Sequence, residues 1–164
     1  MHLNEYKKNL KKSLRPRTLT FFVKDNKIML GYKKRGFGKG NFLGIGGKVE
    51  PGESIEVAAR REILEEVEVT AKSLQQKATL NFYFPHIEDE SWNQQVHAFI
   101  LREWEGEPQE TEEIRPQWFE LSQIPYSKMW NDAHFWLPLI LEGKVVAADF
   151  LFDENLKVIA SNIS

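Results

Sequence analysis

The stretch that most constrains how this chain can fold runs from residue 44 to residue 69, GIGGKVEPGESIEVAARREILEEVEV. A glycine-interrupted strand precedes Pro51, and Glu53 or Ser54 is a typical residue to start a helix, which we expect to end near Val67. One side of this helix forms a single stripe with a period of about 3.6 residues. The stripe consists of Ile55, Ala58, Ala59, Glu62, Glu65 and Glu66. Its first half is suited to docking on a sheet, and its second half is not.

The three carboxylates of this stripe have two interpretations. Charged helix faces are most often simply solvated. Glu62, Glu65 and Glu66, however, continue the side that small residues begin, and crowded, partly buried carboxylates repel one another unless a cation compensates. The sequence has no Cys, and oxygen ligands select hard cations such as Mg²⁺ or Mn²⁺, which bridge carboxylates to substrate phosphates. The spacing therefore predicts a divalent-metal site that acts on phosphates.

Length and charge narrow the class of protein. A chain of 164 residues is of single-domain size. Its 22 basic and 24 acidic residues give a net charge of -2, which does not favour a protein that coats nucleic acid or an anionic membrane. No apolar run is long enough to span a membrane, and the N-terminus lacks the apolar core of a secretory signal. We therefore expect a soluble cytoplasmic protein without a membrane partner.

The N-terminal residues are lysine-rich and have few apolar anchors. Their basic residues are Lys7, Lys8, Lys11, Lys12 and Arg15. A short helix or a frayed tail is favoured over a nucleic-acid-binding arm. We expect the folded part to begin near Arg17, so that residues 1–16 form a basic extension and residues 17–164 form one domain.

Residue alternation predicts the remaining elements. Residues 18–34 indicate a hairpin that turns at 24–27. Further strands are expected at 77–84, 94–104 and 117–121, and a second helix at about 132–142, ended by Gly143. A closing hairpin turns at 153–155. Strands with two interspersed helices are typical of a mixed α/β or α+β domain.

The glutamate stripe belongs to a longer pattern, G-x5-E-x7-R-E-U-x-E-E-x-G-U, in which U is a bulky aliphatic residue. The matching residues are Gly47, Glu53, Arg61, Glu62, Ile63, Glu65, Glu66 and Val69. The segment resembles the Nudix box of the Nudix hydrolases. The resemblance implies an α/β/α sandwich, a mixed β-sheet with this helix on one side and the second helix on the other. The pattern's last glycine is Glu68 here, so either a non-glycine residue adopts the left-handed conformation, at about 1 kcal/mol, or the helix ends differently.

The resemblance also implies roles for residues of the box. The implied metal ligands are the Gly46 carbonyl, Glu62, Glu65, Glu66 and the loop residue Glu113. Arg61 is expected to pair with Glu53 and to hold the loop against the helix. Mg²⁺, for which Mn²⁺ can substitute, would neutralise the phosphates and activate a water. Glu65, Glu66 and Glu113 stay open as the residue that accepts the proton. The implied catalytic set is Glu53, Arg61, Glu62, Glu65, Glu66 and Glu113.

The similarity runs from about residue 18 to residue 152. The segments KKRGFGKG, EEIRPQWFELSQIP and KMWNDAHFWLPL resemble the oxidised purine nucleoside triphosphatases, the 8-oxo-dGTP diphosphatase branch. This branch implies cleavage of 8-oxo-dGTP or 2-hydroxy-dATP to the monophosphate and pyrophosphate. We expect a monomer without a stable nucleic-acid partner. By this resemblance, Trp130 would stack on the base and Asp132 would bond the purine edge. The implied substrate-binding residues are Thr18, Lys33, Phe37, Leu43, Gly47, Lys48, Phe82, Phe84, Trp130 and Asp132.

Two positions depart from this branch. Leu43 stands where the branch usually has Asn, and Ala133 where it usually has a second Asp. Their loss weakens discrimination between bases, so that 8-oxo-dGTP, 2-hydroxy-dATP, an alkylated purine and an unmodified dNTP all stay open. Candidates for replacement contacts are His86, Trp92 and Gln94. The alternatives are a Nudix hydrolase of a nucleoside diphosphate derivative or an RNA 5′ end, and a non-catalytic Nudix-fold binding module.

Overall fold

The computed structural model describes residues 2–164, which form one mixed β-sheet with helices on both faces. The α-helices are α1 (Leu3–Lys8), α2 (Ile55–Val67) and α3 (Ala133–Leu141), and short 3₁₀ helices cover Glu90–Trp92, Leu121–Gln123 and Tyr126–Lys128. The strands are β1 (Arg15–Lys24), β2 (Lys27–Lys33), β3 (Phe42–Leu43), β4 (Thr70–Tyr83), β5 (Gln94–Glu105), β6 (Ile114–Glu120), β7 (Val146–Phe152) and β8 (Val158–Ile163).

The order of strands in the sheet is β3-β2-β1-β5-β4-β7-β8, and β6 also pairs with β2. β1 runs parallel to β5, and β4 runs parallel to β7. The other pairs are antiparallel. The expected mixed sheet is therefore confirmed.

The two faces of the sheet carry separate cores, because successive side chains of a strand point to opposite faces. Phe22 of β1 belongs to a buried cluster with Ile63 and Val67 of α2. Its neighbour Phe21 belongs to another cluster, with Trp136 and Leu137 of α3. The helices α2 and α3 thus cover opposite faces, which confirms the α/β/α sandwich.

Most expected elements lie where local signals indicate them. Asp25 and Asn26 turn the first hairpin with φ of 53° and 64°, the left-handed values that a tight hairpin turn requires. Ser54 caps α2 by accepting a hydrogen bond from Val57 N–H at 3.2 Å. β4, however, begins seven residues before the expected strand, at Thr70. Its first half has mostly exposed polar side chains, and pairing with β5 defines it rather than alternation.

Glu68 ends α2 in the left-handed conformation, with φ 59° and ψ 37°. Its backbone N–H donates to the Leu64 carbonyl at 3.0 Å. The helix therefore stops as it would at a glycine, and the non-glycine residue adopts this conformation at a cost of about 1 kcal/mol.

The N-terminal segment is packed against the sheet. β1 begins at Arg15, so the expected boundary between residues 16 and 17 falls inside a strand. Tyr6 of α1 is buried against Tyr83 and Leu151 and anchors the segment. The lysine-rich composition of this segment did not predict this contact. Within residues 2–164, the structure has no helix that is long and apolar enough to cross a membrane.

Candidate active site

A glycine turn brings the chain before α2 against β1. Thr18 N–H donates to the Gly47 carbonyl at 2.9 Å, and Thr20 and Ile45 exchange backbone hydrogen bonds. A Cβ atom on Gly46 would overlap the Thr18 carbonyl oxygen. Because that neighbour is backbone, it cannot yield as a flexible side chain would, so position 46 requires glycine.

Arg61 ties the following loop to α2. Its guanidinium donates to both carboxylate oxygens of Glu53, at 2.7 and 2.8 Å, and to the Lys48 carbonyl at 2.9 Å. Glu53 also accepts from Glu50 N–H at 2.7 Å. These hydrogen bonds, chiefly those from Arg61, lower the pKa of Glu53 to about 2. The expected pairing of Arg61 with Glu53 is therefore present, and it fixes the loop between the glycine turn and the helix.

Glu62 lies beneath the glycine turn. A Cβ on Gly47 would come within 2.6 Å of the Glu62 carboxylate, so the absence of a side chain at position 47 makes room for this group. Glu62 and Glu65 both accept hydrogen bonds from Arg61, at 3.0 and 3.3 Å. The side chain of Glu65 nevertheless stays more than half exposed.

Glu66 is the carboxylate of α2 that reaches the interior of the site. Burial, followed by repulsion from and hydrogen bonding to Glu62, raises the pKa of Glu66 to about 8. Lys33 opposes this rise and Glu113 adds to it. Two crowded carboxylates in a partly buried site require a compensating charge, which a divalent cation would supply. The oxygen-only donor set thus fits a hard metal ion.

The expected ligands do not converge on one point. Among residues 2–164, no three His, Asp or Glu side chains are grouped so as to hold a metal ion. Glu62 and Glu65 turn toward Arg61, while Glu66 faces the cleft. The side-chain arrangement is therefore that of a preformed carboxylate pair, Glu62 with Glu66, rather than a closed cage.

A cleft of about 190 Å³ extends from Glu66 to Trp130 and is lined by residues of β1, β4, β5 and α3. It brings together a large share of the predicted site. The predicted residues that line it are Thr18, Lys33, Phe37, Leu43, Gly46, Gly47, Glu66, Phe82, Glu113, Trp130 and Asp132. The predicted residues outside the lining are Lys48, Glu53, Arg61, Glu62, Glu65 and Phe84. Phe84 is fully buried behind Trp130, and Lys48 contributes its carbonyl to Arg61 rather than its side chain to the cleft.

The end of the cleft away from Glu66 is aromatic. Trp130 lies nearly parallel to Phe82, with ring centroids 6.4 Å apart and planes inclined by 22°. Phe37 meets the Trp130 ring edge to face at 5.5 Å. Flat rings arranged around a cleft are suited to stacking a planar heterocycle.

Asp132 supplies the buried polar group of this aromatic end. Its Oδ2 accepts a hydrogen bond from Trp136 Nε1 at 2.7 Å, whereas Oδ1 has no hydrogen-bond partner among the described residues. Burial raises the pKa of Asp132 to about 6, although the Trp136 hydrogen bond opposes this. A buried oxygen without a partner is rare in proteins, and one in a cleft lining indicates a site for a ligand that donates a hydrogen bond.

Comparison with known proteins identifies the family. A family model described as the NUDIX domain matches residues 14–139. The chain belongs to the Nudix family. Hydrolases of this family generally use divalent metal ions, which agrees with the carboxylate pair on α2.

Two curated Nudix relatives cover nearly the whole chain. A protein from Danio rerio named oxidized purine nucleoside triphosphate hydrolase is 45% identical over 135 residues, 82% of this chain and 85% of its own length. A Mus musculus protein of the same name is 38% identical over 149 residues, 89% of this chain and 92% of its own length. Among solved structures, a mutator MutT protein from Bacillus halodurans superimposes with a TM-score of 0.81 at 21% identity, covering 92% of this chain and 98% of that one. This last similarity shows the shared Nudix fold.

Sequence reasoning missed Arg17 in this Nudix cleft. Arg17 is half-buried and lines the cleft near Glu62 and Glu66. Burial lowers the pKa of its guanidinium, while the two carboxylates act in the opposite direction. No local signal separates Arg17 from the basic residues before it, because only the pairing of β1 with β5 places it here.

The three candidates for replacement contacts have different positions. Gln94 lines the cleft. Trp92 lies outside the lining but contacts Phe37, with ring centroids 5.3 Å apart. His86 is exposed and touches the ring of Phe84. Leu43 and Ala133 both line the cleft, so both departures from the branch lie within it, and Ala133 directly follows Asp132 of the aromatic end.

Proposed function

We propose that this protein hydrolyses oxidised purine nucleoside triphosphates, such as 8-oxo-dGTP or 2-hydroxy-dATP, to the monophosphate and pyrophosphate, with Mg²⁺ as the cofactor and Mn²⁺ as a substitute. The observation that carries this proposal is a single cleft with Glu66 of the carboxylate pair at one end and an aromatic pocket with a free carboxylate oxygen at the other. The names of the two curated relatives support the same substrate class.

At the carboxylate end, Glu62, Glu66 and the Gly46 carbonyl would hold the metal, with Glu113 and Glu65 completing the shell. A bound divalent ion supplies charge neutralisation for the phosphates and lowers the pKa of a water. Lys33 lines the same end and would contact a phosphate oxygen. Arg61 and Glu53 keep the glycine turn and α2 in register, and one of Glu65, Glu66 and Glu113 would accept the proton of the attacking water.

At the aromatic end, Trp130 would stack on the purine, and Asp132 Oδ1 would accept a hydrogen bond from a purine N–H group. Stacking of this kind contributes about 1–3 kcal/mol per base. The hydrogen bond would give Oδ1 the partner that it lacks in the protein alone. Leu43 and Ala133 line the same cleft and offer no side-chain hydrogen bond, so Asp132 would carry much of the base recognition.

The test is a substrate panel of 8-oxo-dGTP, 2-hydroxy-dATP, O6-methyl-dGTP and the four normal dNTPs, with Mg²⁺, whose products are separated by ion-exchange chromatography. We expect a modified purine to exceed dGTP and dATP at least tenfold in kcat/KM, which is about 1.4 kcal/mol of discrimination. Equal turnover of all dNTPs would instead indicate a broad nucleotide diphosphatase. If none is cleaved, the proposal is wrong, and RNA 5′ ends and nucleoside diphosphate derivatives are the next substrates.

We further propose that the protein acts in the cytoplasm, on free nucleotides and as a monomer. Light scattering after size-exclusion chromatography tests this, with 19.2 kDa expected for a monomer.

A further inference from the structure

Phe37 lies at the aromatic end of the cleft, on a glycine-rich loop. Backbone hydrogen bonds close this loop, such as Gly40 N–H to the Lys33 carbonyl at 2.9 Å, but they do not hold the Phe37 side chain. The neighbouring glycines Gly36, Gly38 and Gly40 have φ of 80°, 88° and 91°, values that ordinary residues rarely adopt. Phe37 lines the cleft, yet its side chain is 53% exposed. A ring this exposed on a glycine-rich loop needs contacts from outside the loop to keep one orientation.

Two tryptophans supply these contacts from opposite sides. Trp130 meets the Phe37 ring at 5.5 Å, and Trp92 meets it at 5.3 Å, with interplanar angles of 79° and 77°. Both are edge-to-face geometries, which are favourable for aromatic pairs. Trp130 belongs to the cleft lining, whereas Trp92 lies outside it. Phe37 is thus held between a ring of the site and a ring of another loop.

The loop that carries Trp92 is anchored by the N-terminal segment. Glu90 accepts hydrogen bonds from the backbone N–H groups of both Lys11 and Lys12, each at 2.9 Å. On the other side of Trp92, the side-chain amide of Asn93 donates to the Tyr6 hydroxyl at 3.0 Å and accepts from Phe84 N–H at 2.8 Å. Tyr6 and Asn93 are buried. The residues flanking Trp92 are therefore fixed to the segment that precedes β1.

We propose that Trp92, braced by residues 6–12, is a positioning residue for base binding that holds Phe37 against Trp130 at the mouth of the cleft. The proposal rests on the proposed function only for the identity of the base. Trp92 contacts the site through Phe37 and lies outside the cleft lining to which Glu66 belongs, so its loss affects nucleotide affinity and leaves the chemical step intact. The N-terminal segment thereby gains a role in substrate recognition without contacting the nucleotide.

The first experiment does not require turnover. Limited trypsin digestion of the free protein reports on the loop of Phe37, because Arg35 and Lys39 flank this residue. We expect Trp92→Ala to raise the rate of cleavage at these two sites about threefold or more, and Trp92→Phe to restore most of the protection. Trp118→Ala is the matched control, since Trp118 is 38% exposed and Trp92 is 39% exposed. Its cleavage rate should equal that of the natural protein.

The second experiment separates KM from kcat with the best substrate of the panel. An edge-to-face aromatic pair contributes enough to change affinity roughly 3- to 10-fold, so Trp92→Ala should raise KM by that factor and leave kcat within about twofold. Glu90→Ala, which loosens the brace, should show a smaller rise in KM. Trp92→Phe should recover most of the loss, and Trp118→Ala should change neither constant.

The outcomes separate this inference from the proposed function. Unchanged cleavage and unchanged KM in Trp92→Ala would overturn the inference. A raised KM with unchanged cleavage would also overturn it, because Trp92 would then act on the nucleotide directly. Faster cleavage in Trp92→Ala, in a protein that hydrolyses no purine triphosphate, would support the brace and refute the proposed function.

Discussion

At the carboxylate end of the cleft, charges and backbone contacts hold the structure, whereas at the aromatic end ring contacts do so. The carboxylate end comes largely from one continuous stretch, from Gly46 to Glu66, fixed by Arg61. The aromatic end gathers Phe37, Phe82 and Trp130 from segments far apart in the sequence. Because few residues serve both ends, the base pocket can change while the phosphate chemistry stays intact, and this matches the positions of Leu43 and Ala133.

The strongest test of this separation is Glu66→Gln. The change keeps the size of the side chain but removes the charge that a metal and a catalytic proton require, so we expect kcat to fall about 10³-fold. Binding of a purine monophosphate should change less than twofold, measured by calorimetry. The control is Glu56→Gln, on the same helix but exposed. A large loss of monophosphate affinity would show that the two ends are not independent.

Ionisation of the buried Asp132 carboxylate lowers the stability of the fold at neutral pH, and Asp132→Asn should remove this loss. The folded-state pKa of Asp132, about 6, lies above the ordinary 3.8, so the folded state binds this proton more tightly than the unfolded state does. Protonation therefore stabilises the fold at acidic pH, and this stabilisation is lost as the pH rises through about 6. From pH 4 to pH 7, the natural protein should lose up to about 3 kcal/mol relative to the variant.

Urea unfolding at a series of pH values measures this difference, and Asp25→Asn in the exposed first hairpin turn is the control. Parallel stability curves for the natural protein and Asp132→Asn would show that Asp132 does not bind a proton in this range.

Trp130→Ala should weaken nucleotide binding at the aromatic end and leave the carboxylate end unaffected. Loss of a stacking partner costs about 1–3 kcal/mol, so KM for a purine triphosphate should rise roughly 5- to 100-fold. We expect kcat to stay within about threefold, because Trp130 lies away from the carboxylate pair. Steady-state kinetics beside Trp118→Ala measure both constants. A fall in kcat with an unchanged KM would contradict the division of the cleft.

Leu43→Asn should give the smallest effect, an increase in the discrimination between modified and unmodified purines. Leu43 lines the cleft, and an amide there adds a hydrogen-bonding group that a modified purine can satisfy and another base leaves unpaired. We expect the ratio of kcat/KM for 8-oxo-dGTP to that for dGTP to rise about 3- to 10-fold in competition assays. Leu43→Met, which keeps the apolar volume, should leave the ratio unchanged.

The sequence was informative where local chemistry determines local structure. The Ser54 cap, the end of α2 at Val67 and the turn at Asp25 and Asn26 follow from propensities and hydrogen bonds between near neighbours. The part of the carboxylate end that lies in the glycine turn and α2 could be predicted for the same reason, since those residues are close neighbours in the sequence. The Arg61–Glu53 pair spans only eight positions.

Features that depend on distant strand pairing were not predictable in this way. Arg17 enters the cleft because β1 lies beside β5, and Tyr6 is buried because β4 and β7 meet beneath it. The inward direction of Glu66 and the outward direction of Glu65 depend on how α2 sits on the sheet. The stripe pattern predicts which residues share one side of the helix, but it does not predict how deeply each side chain is buried.

The pairing of Thr18 with His97 and of Leu80 with Ala148 also affects how the molecule forms. Parallel neighbours far apart along the chain close long loops before they gain contacts, which slows folding. During synthesis the ribosome releases α2 well before β5, and α3 later still. The α2 segment therefore leaves the ribosome before Phe82 and Trp130 do, so the aromatic end is the last part of the cleft that the nascent protein can complete.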